Sequence, residues 1–248
     1  MLPIIRGWTD VQRTPQSNQR LGAVLAFVAG ATNAGGFLAV GQYTSHMTGI
    51  VSAMADNLVL GHTTAVLAAA AALAAFIVGA MTTAILVNWG LRRKLHSAYS
   101  LPLLLEAAVL LVFGLLGASL GLHTALLVPV TVLLLCFMMG LQNAVISKIS
   151  RAEIRTTHVT GLVTDLGIEL GKLVYVNCTH GIGPVRANRE RMRTQGLLIG
   201  LFFVGGVMGA LGFQSIGFVT TVPLALLLLL LSLRPLLFDV GALARPAA

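Results

Sequence analysis

Charged residues are scarce in this chain. Only 10% of its 248 residues are Asp, Glu, Lys or Arg, whereas 56% are hydrophobic, and the mean hydropathy is +0.90. A soluble domain carries about 25% charged residues, so this composition argues strongly against a soluble enzyme or nucleic-acid-binding module. The two cysteines, Cys136 and Cys178, give no disulfide framework and no metal-ligand spacing. We also find no Walker loop, no Gly-x-Ser-x-Gly and no His-Glu-x-x-His. We therefore expect that the protein binds no cofactor and no metal and that it is not an enzyme.

Long runs without any charged residue predict membrane-spanning helices, because a span needs about 20 apolar residues. We predict six spans at about 21–43, 64–90, 101–121, 125–147, 196–214 and 217–234. Tight turns are expected at 121–124 and 214–217, where two spans share one run. The polar N-terminal stretch contains three arginines before residue 21, so we expect a retained first span rather than a signal peptide. The fold class is all-α integral membrane protein, with residues 1–248 as one membrane domain.

Two further segments, 46–61 and 158–176, resemble each other. The first opens with Ser-His-Met-Thr-Gly at 45–49 and the second with Thr-His-Val-Thr-Gly at 157–161. A Gly-x-x-Asn-Ala precedes each, starting at Gly30 and at Gly140. The copies are offset by 110 to 112 residues (30 to 140, 46 to 158), which indicates a duplication with halves at about 21–121 and about 125–237. A unit with an odd number of spans inserts the second time upside down, so we expect an inverted-topology repeat.

The basic residues decide how the motif segments are expected to sit. The formal net charge is +8, and the basic residues form short clusters between apolar runs, as the positive-inside rule predicts for cytoplasmic loops. If both motif segments crossed the membrane, the clusters at 92–94 and 148–155 would lie outside. If both segments instead re-enter on one side or complete a broken helix, every basic cluster lies inside. We therefore expect six spans, two short re-entrant or broken segments and cytoplasmic termini.

The motif segments are expected to border a cavity, because irregular backbone at membrane depth must be bonded by protein or water. Glycine-interrupted segments at matching places in two halves are typical of a transporter's binding site. Histidine titrates near neutral pH, and carboxylates inside a membrane mark ion or proton pathways. We predict that a solute or ion pathway between the two segments, at the midplane, is lined by His46, Thr48, Asp56, Asn57, His158, Thr160, Asp165 and Glu169.

These residues also have structural interpretations. The histidines could be neutral and bonded to backbone carbonyls, and the threonines could cap their helices. Glu169 could pair with the lysine three residues later, near the cytoplasmic interface. Asn33 and Asn143 are predicted to tie helices together or to contact a ligand. Glu106 is expected to have a structural role at the inner surface, within reach of the arginines at 92–93.

The stretch Gly-Ala-Thr-Asn-Ala-Gly-Gly-Phe-Leu at 30–38, followed by Tyr-Thr-Ser-His-Met-Thr-Gly at 43–49, resembles the signature of the YoaK-like family of uncharacterised bacterial membrane proteins. Members of that family carry an Asn soon after the Thr-Gly, where this chain has Ile50 and, later, Asp56 and Asn57. The resemblance implies a multi-pass protein of the bacterial inner membrane with about six spans, and it implies no substrate.

The function predicted from these residues is a transporter or channel-like permease for a small polar solute or ion. Asp56, Asp165 and Glu169 would supply proton or cation coupling. Two alternatives stay open: an intramembrane enzyme that uses His and Asp as acid and base, and a structural or regulatory membrane protein without transport. The expected partners are the lipid bilayer and a small polar solute or ion, without nucleic acid, and homo-oligomerisation stays open.

Overall fold

The computed structural model describes residues 8–11, 13–118, 124–178 and 183–243, and the regular elements in these ranges are helices. The eight α-helices are α1 (Pro15–Val40), α2 (Met47–Val59), α3 (Thr63–Arg92), α4 (Ser100–Ala118), α5 (Thr124–Ser150), α6 (Val159–Val174), α7 (Arg189–Ile216) and α8 (Thr221–Leu243). Five segments are long and apolar enough to cross a membrane: α1, α3, α4, most of α5 and Arg189–Gly241. The last of these contains both α7 and α8, joined by the 3-10 turn Gly217–Thr220. The prediction of an all-α multi-pass membrane protein is thus confirmed.

The six predicted spans correspond in order to α1, α3, α4, α5, α7 and α8, but several helices are longer than their apolar runs. α1 begins at Pro15 because the Thr14 side chain accepts the N–H of Ser17 at 3.2 Å. α7 begins at Arg189 because Asn188 accepts the N–H of Arg191 at 3.0 Å. Capping residues in polar sequence therefore set these ends. The predicted turn at 214–217 is displaced to Gly217–Thr220, and the one at 121–124 lies outside the described residues apart from Thr124, which starts α5.

Two pairs of helices cross at glycines. Gly30 of α1 lies against the carbonyl of Phe202 on α7, and Gly205 of α7 lies against the carbonyl of Phe27 on α1, so closely that a Cβ at either glycine would overlap the opposite backbone. α3 and α5 cross in the same way, through two glycines that each meet the carbonyl of a phenylalanine: Gly79 with Phe137, and Gly140 with Phe76. Each of the four helices thus presents Phe-x-x-Gly at its crossing point. In both pairs the two helices run parallel, because successive contacts involve later residues on both helices.

The remaining long contacts are antiparallel. Gln142 of α5 donates to the carbonyl of Leu25 on α1 at 3.0 Å, whereas Gly36, later in α1, faces Leu135, which comes earlier in α5. α4 runs antiparallel to α8: Asp239 near the end of α8 accepts the N–H of Ser97 just before α4, and Gly114 late in α4 lies against Thr221 at the start of α8. The buried core lies between α1, α4, α5, α7 and α8, and includes Leu25, Leu110, Phe113, Met138, Leu198 and Leu228.

The segments that precede α2 and α6 fold back along the helices that they leave. After Val40 the chain reverses, so that the ring of Tyr43 stacks on Phe37 at 4.7 Å and Ser45 donates to the Asn33 side chain at 2.9 Å. α2 therefore begins beside the interior of α1, about 10 Å before the end of that helix along its axis. The segment before α6 follows the same course along α5, and Thr157 donates to the Asn143 side chain at 2.7 Å.

Candidate functional site: a cavity beside the first motif helix

A cavity of about 620 Å³ lies between α2, α3 and the N-terminal part of α5. α3 contributes five alanines to its wall and α5 contributes Pro129 with three aliphatic neighbours, so small apolar side chains provide the space. The polar lining groups are Gln42, Tyr43, His46 and Asn57. A mostly apolar cavity with a few convergent polar groups is the usual form of a small-molecule site.

His46 stands at the first turn of α2 and borders the cavity. It occupies the N-cap position, although its side chain makes no capping hydrogen bond. Its exposed ring lies over Gly49, where a Cβ would overlap the imidazole. Gly49 and Ile50 also line the cavity, so the first turn of α2, with the partial positive charge of a helix N-terminus, borders this space. The imidazole and the first turn together offer polar contacts to an electronegative atom.

Asn57 is the second pathway residue that lines the cavity. Its amide nitrogen donates to the carbonyl of Ala53 at 2.7 Å, and its oxygen lies 3.1 Å from Nδ1 of His62. Thr48 and Asp56 are exposed on α2 and do not line the cavity. Thr48 also does not occupy the capping position, which belongs to His46. Of the pathway residues predicted on the first motif segment, His46 and Asn57 therefore line the cavity, and Thr48 and Asp56 do not.

The second motif segment is built like the first but lines no part of this cavity. His158 occupies the N-cap position of α6, again without a side-chain capping bond, and Thr160 is exposed in the first turn. The lining residues all belong to 37–72 and 128–133. The cavity is therefore formed by the first motif segment with α1, α3 and α5, and the two motif segments do not share it.

The carboxylates of α6 are bonded to groups on α6 itself, on α7 and at the N-cap of α7. Glu169 is buried, and it accepts from Lys172 at 2.8 Å and from the backbone N–H of Asn188 at 2.7 Å. Asp165 accepts from Arg191 at 2.9 Å in a more exposed ion pair. The hydrogen bond from Lys172, followed by that from Asn188, lowers the pKa of Glu169 below its ordinary value. Sequence spacing indicates the Lys172 pair, whereas Asn188 and Arg191 are too distant in sequence for a helical pattern to reveal.

Asn33 and Asn143 anchor the chain in front of each motif helix. Each side-chain oxygen accepts the hydroxyl of the residue that precedes the motif histidine, Ser45 in one case and Thr157 in the other. Asn143 is buried and also donates to the carbonyl of Met139 at 2.9 Å. The two amides therefore fix where α2 and α6 begin, and the hydroxyl partners are residues that the sequence analysis did not single out.

Glu106 does not pair with the arginines at 92–93, so that expectation is wrong. The residue is 1% exposed in α4, and neither carboxyl oxygen has a hydrogen-bond partner. It lies nine residues after Ser97, about 13 Å further along the chain at the rise of an α-helix, which takes it beyond the reach of the preceding loop. Within the described ranges, no group of three or more His, Cys, Asp or Glu side chains is arranged to hold a metal ion.

The helices and their apolar surfaces define a multi-pass helical membrane protein with a cavity beside the short helix α2. The chain belongs to the family described as "Protein of unknown function (DUF1275)", whose model matches residues 21–233. The match covers both motif segments and all or part of each helix from α1 to α8. No curated protein and no solved structure matches the chain significantly.

Proposed function

We propose that this protein is a permease for a small polar solute or ion in the bacterial inner membrane. The observation that carries the proposal is the cavity at the first turn of α2, which brings His46 and Asn57 to a space of about 620 Å³ between α2 and the helices α1, α3 and α5, which are long enough to span. A small polar solute fits such a space, and polar groups there replace part of its hydration.

The proposed topology has six spans with both termini in the cytoplasm. The end of α3 lies beside the end of α5, where Lys148 donates to Asn88 at 3.2 Å. The start of α7 lies beside the start of α1, where Leu198 packs near Gly22. The basic clusters at 92–94, 148–155 and 189–193 therefore gather at one end of the bundle. The positive-inside rule favours the cytoplasm for that end, which leaves the cavity open toward the opposite side.

In this topology α2 and α6 are half-helices that start within the membrane. α2 has 13 residues and α6 has 16, about 20 and 24 Å, too short to cross an apolar core of about 30 Å. The hydrogen bonds to Asn33 and Asn143 hold their first residues beside the interiors of α1 and α5. The two half-helix N-termini would thus face the middle of the membrane from opposite sides, as in several transporters.

An inverted repeat explains the two crossings. A shift of 110 residues takes Phe27 and Gly30 to Phe137 and Gly140, and a shift of 126 takes Phe76 and Gly79 to Phe202 and Gly205. The pair α1 with α7 then corresponds to the pair α5 with α3. Since α1 and α5 are antiparallel, the operation that relates the halves turns one of them upside down. This geometry supports the inverted repeat.

The two halves differ in openness, which supports alternating access. On the open side, the wall of the cavity includes Ala53, Asn57, Ala69 and Ala72. The repeat-related positions are Asp165 and Glu169, which are held by ion pairs, and Gln195 and Leu198, which are buried. Exchange of the two arrangements would close the outer cavity and open an equivalent space to the cytoplasm. The Asp165–Arg191 ion pair and the hydrogen bond from the Asn188 N–H to Glu169, which join α6 to the start of α7, would then keep the inner side shut in the present state.

Purified protein in liposomes tests the proposal with a panel of small polar solutes and ions. The key variant is Ala53→Phe, which fills the cavity, and the matched control is Ala55→Phe on the exposed part of the same helix. We expect solute flux in the native protein and in Ala55→Phe, and loss of flux in Ala53→Phe. Equal flux in the two variants contradicts the proposed pathway. Absence of flux with every solute, together with turnover of a lipid or peptide, favours an intramembrane enzyme.

A further inference from the structure

Glu106 is a buried acidic residue that belongs to none of the ion pairs described above and does not line the cavity. It lies in α4, its side chain is 1% exposed, and both carboxyl oxygens are without a hydrogen-bond partner. The carboxylates of the two motif helices, in contrast, are exposed to solvent or paired with a basic residue. Asp56 is exposed, Asp165 pairs with Arg191, and Glu169 pairs with Lys172.

The helices that pack against α4 bring no charge to Glu106. α4 packs against α8, α5 and α3 and against the turn at 217–220, and their charged residues are Arg92, Lys148, Arg234 and Asp239. Arg92 ends α3, Lys148 contacts Asn88, Arg234 lies 4.0 Å from Asp10, and Asp239 is bonded to the backbone before α4. Cys136 of α5 is the remaining titratable side chain on these helices, and it is buried.

The register of α4 and α8 places Glu106 against apolar sequence. Ser97 meets Asp239 and Gly114 lies against Thr221, so residue 106 falls opposite about 229–230, within an unbroken run of leucines at 226–231. An ionised carboxylate is very costly there without a partner, and such groups are neutralised instead.

We propose that Glu106 is a proton-binding site that couples proton movement to the proposed transport cycle. In the present conformation the carboxyl holds its proton. α4 belongs to the first half of the chain and α8 to the second, so exchange between the two halves changes the interface at Glu106. When that change admits water, the O–H bond breaks, the proton passes to water, and the carboxylate remains until the interface closes again. The ligand of this site is a proton, and its role in coupling rests on the proposed function.

Infrared spectroscopy of the purified protein tests the site without any transport assay. At about pH 8 solvated carboxyl groups are ionised, so a C=O stretch of a protonated carboxylic acid reports a buried acid. We expect this band in the native protein and in Glu153→Gln, which changes an exposed carboxylate, and its loss in Glu106→Gln. Glutamine has the shape of the protonated acid, which favours folding. If Glu106→Gln fails to fold, Glu106→Asp should keep an acid band at a shifted frequency.

Two results overturn the proposal. If the native protein has no acid band, or keeps it in Glu106→Gln, Glu106 holds no proton. If the band is present but proton uptake accompanies solute entry equally in native and Glu106→Gln liposomes, the site does not couple. Loss of proton uptake in the variant is the expected result. If no solute is carried by the native protein, the proposed permease and its coupling fail, whereas the infrared result still decides whether Glu106 binds a proton.

Discussion

Substitution of Gly205 by alanine tests the reciprocal crossing of α1 and α7. A Cβ at this position would overlap the backbone carbonyl of Phe27, so the two helices must move apart. Overpacking of this kind costs about 1–3 kcal/mol. Alanine also gains about 1 kcal/mol over glycine inside a helix, which partly hides the cost. Gly200 lies on the same helix, and a Cβ there would have no other atom within 4 Å apart from the adjoining part of its own helix, so Gly200→Ala receives the gain without the overlap.

The comparison of the two variants isolates the overlap, because the helix-propensity gain cancels. At about 2–4 °C per kcal/mol for a chain of this size, Gly205→Ala should melt roughly 2–12 °C below Gly200→Ala. Gly30→Ala should behave like Gly205→Ala, since the two glycines face each other's helix. The double variant should cost less than the sum, because one separation of the helices relieves both overlaps.

Thermal unfolding of the purified variants in one detergent measures these differences. Equal melting temperatures of Gly205→Ala and Gly200→Ala would refute the close approach of the helices. Full additivity of the Gly30 and Gly205 substitutions would refute their reciprocity. The proposed inverted repeat adds a further requirement: Gly79→Ala and Gly140→Ala, at the second crossing, should show the same destabilisation and the same shortfall from additivity. A second crossing that tolerates alanine would contradict equivalence of the halves.

Other expectations concern the motif helices and the topology. Asn143→Ala should destabilise the protein by about 1–3 kcal/mol, because it removes the acceptor of Thr157 from a buried site, and Thr157→Val should add little in the double variant. Because the folded-state pKa of Glu169 is lowered, its stabilisation is present above the ordinary glutamate pKa and lost as pH falls through the lowered value. The melting-temperature difference between the native protein and Glu169→Gln should therefore be full at neutral pH and vanish in acid; a difference that persists in acid contradicts this pairing. A membrane-impermeant maleimide should label the exposed Cys178 only from the cytoplasmic side. In a Cys178→Ser background, the variant Ala53→Cys should be labelled only from outside. Labelling of both positions from one side contradicts the topology.

The sequence predicts the positions of the helices well because charge-free runs and basic clusters are local features. It also locates α2 and α6, because the histidine motifs occur twice. It predicts the helix ends less well: α7 starts seven residues before its predicted span, at 189 rather than 196, because Asn188 caps a charged first turn that apolar length does not detect. The repeat pattern similarly identifies Asn33 and Asn143, but their hydroxyl partners depend on the course of the loops.

The candidate site is harder to predict, because the contacts that define it join distant parts of the chain. From the sequence alone, Asp165 is predicted to be a pathway carboxylate. Its ion pair depends on Arg191, which lies 26 residues away on another helix. Glu106 reads as an interfacial residue because basic residues precede it, but the rise of the chain takes it into the apolar interior. Burial and partnership of a charge depend on packing between helices, which hydropathy does not encode.

The unequal charges of the two motif helices follow from their different tasks in the proposed cycle. Where the repeat has Asp165 and Glu169, the first half has Ala53 and Asn57, and those two residues line the open cavity. Ion pairs at residues 53 and 57 would bridge the outer cavity. The protein would then be closed on its outer and its inner side at once. Charges in one half alone allow the inner side to be shut while the outer side is open. Introduction of a carboxylate at Ala53 with a basic partner on α3 should therefore close both sides, and would stop exchange even though each half keeps its fold.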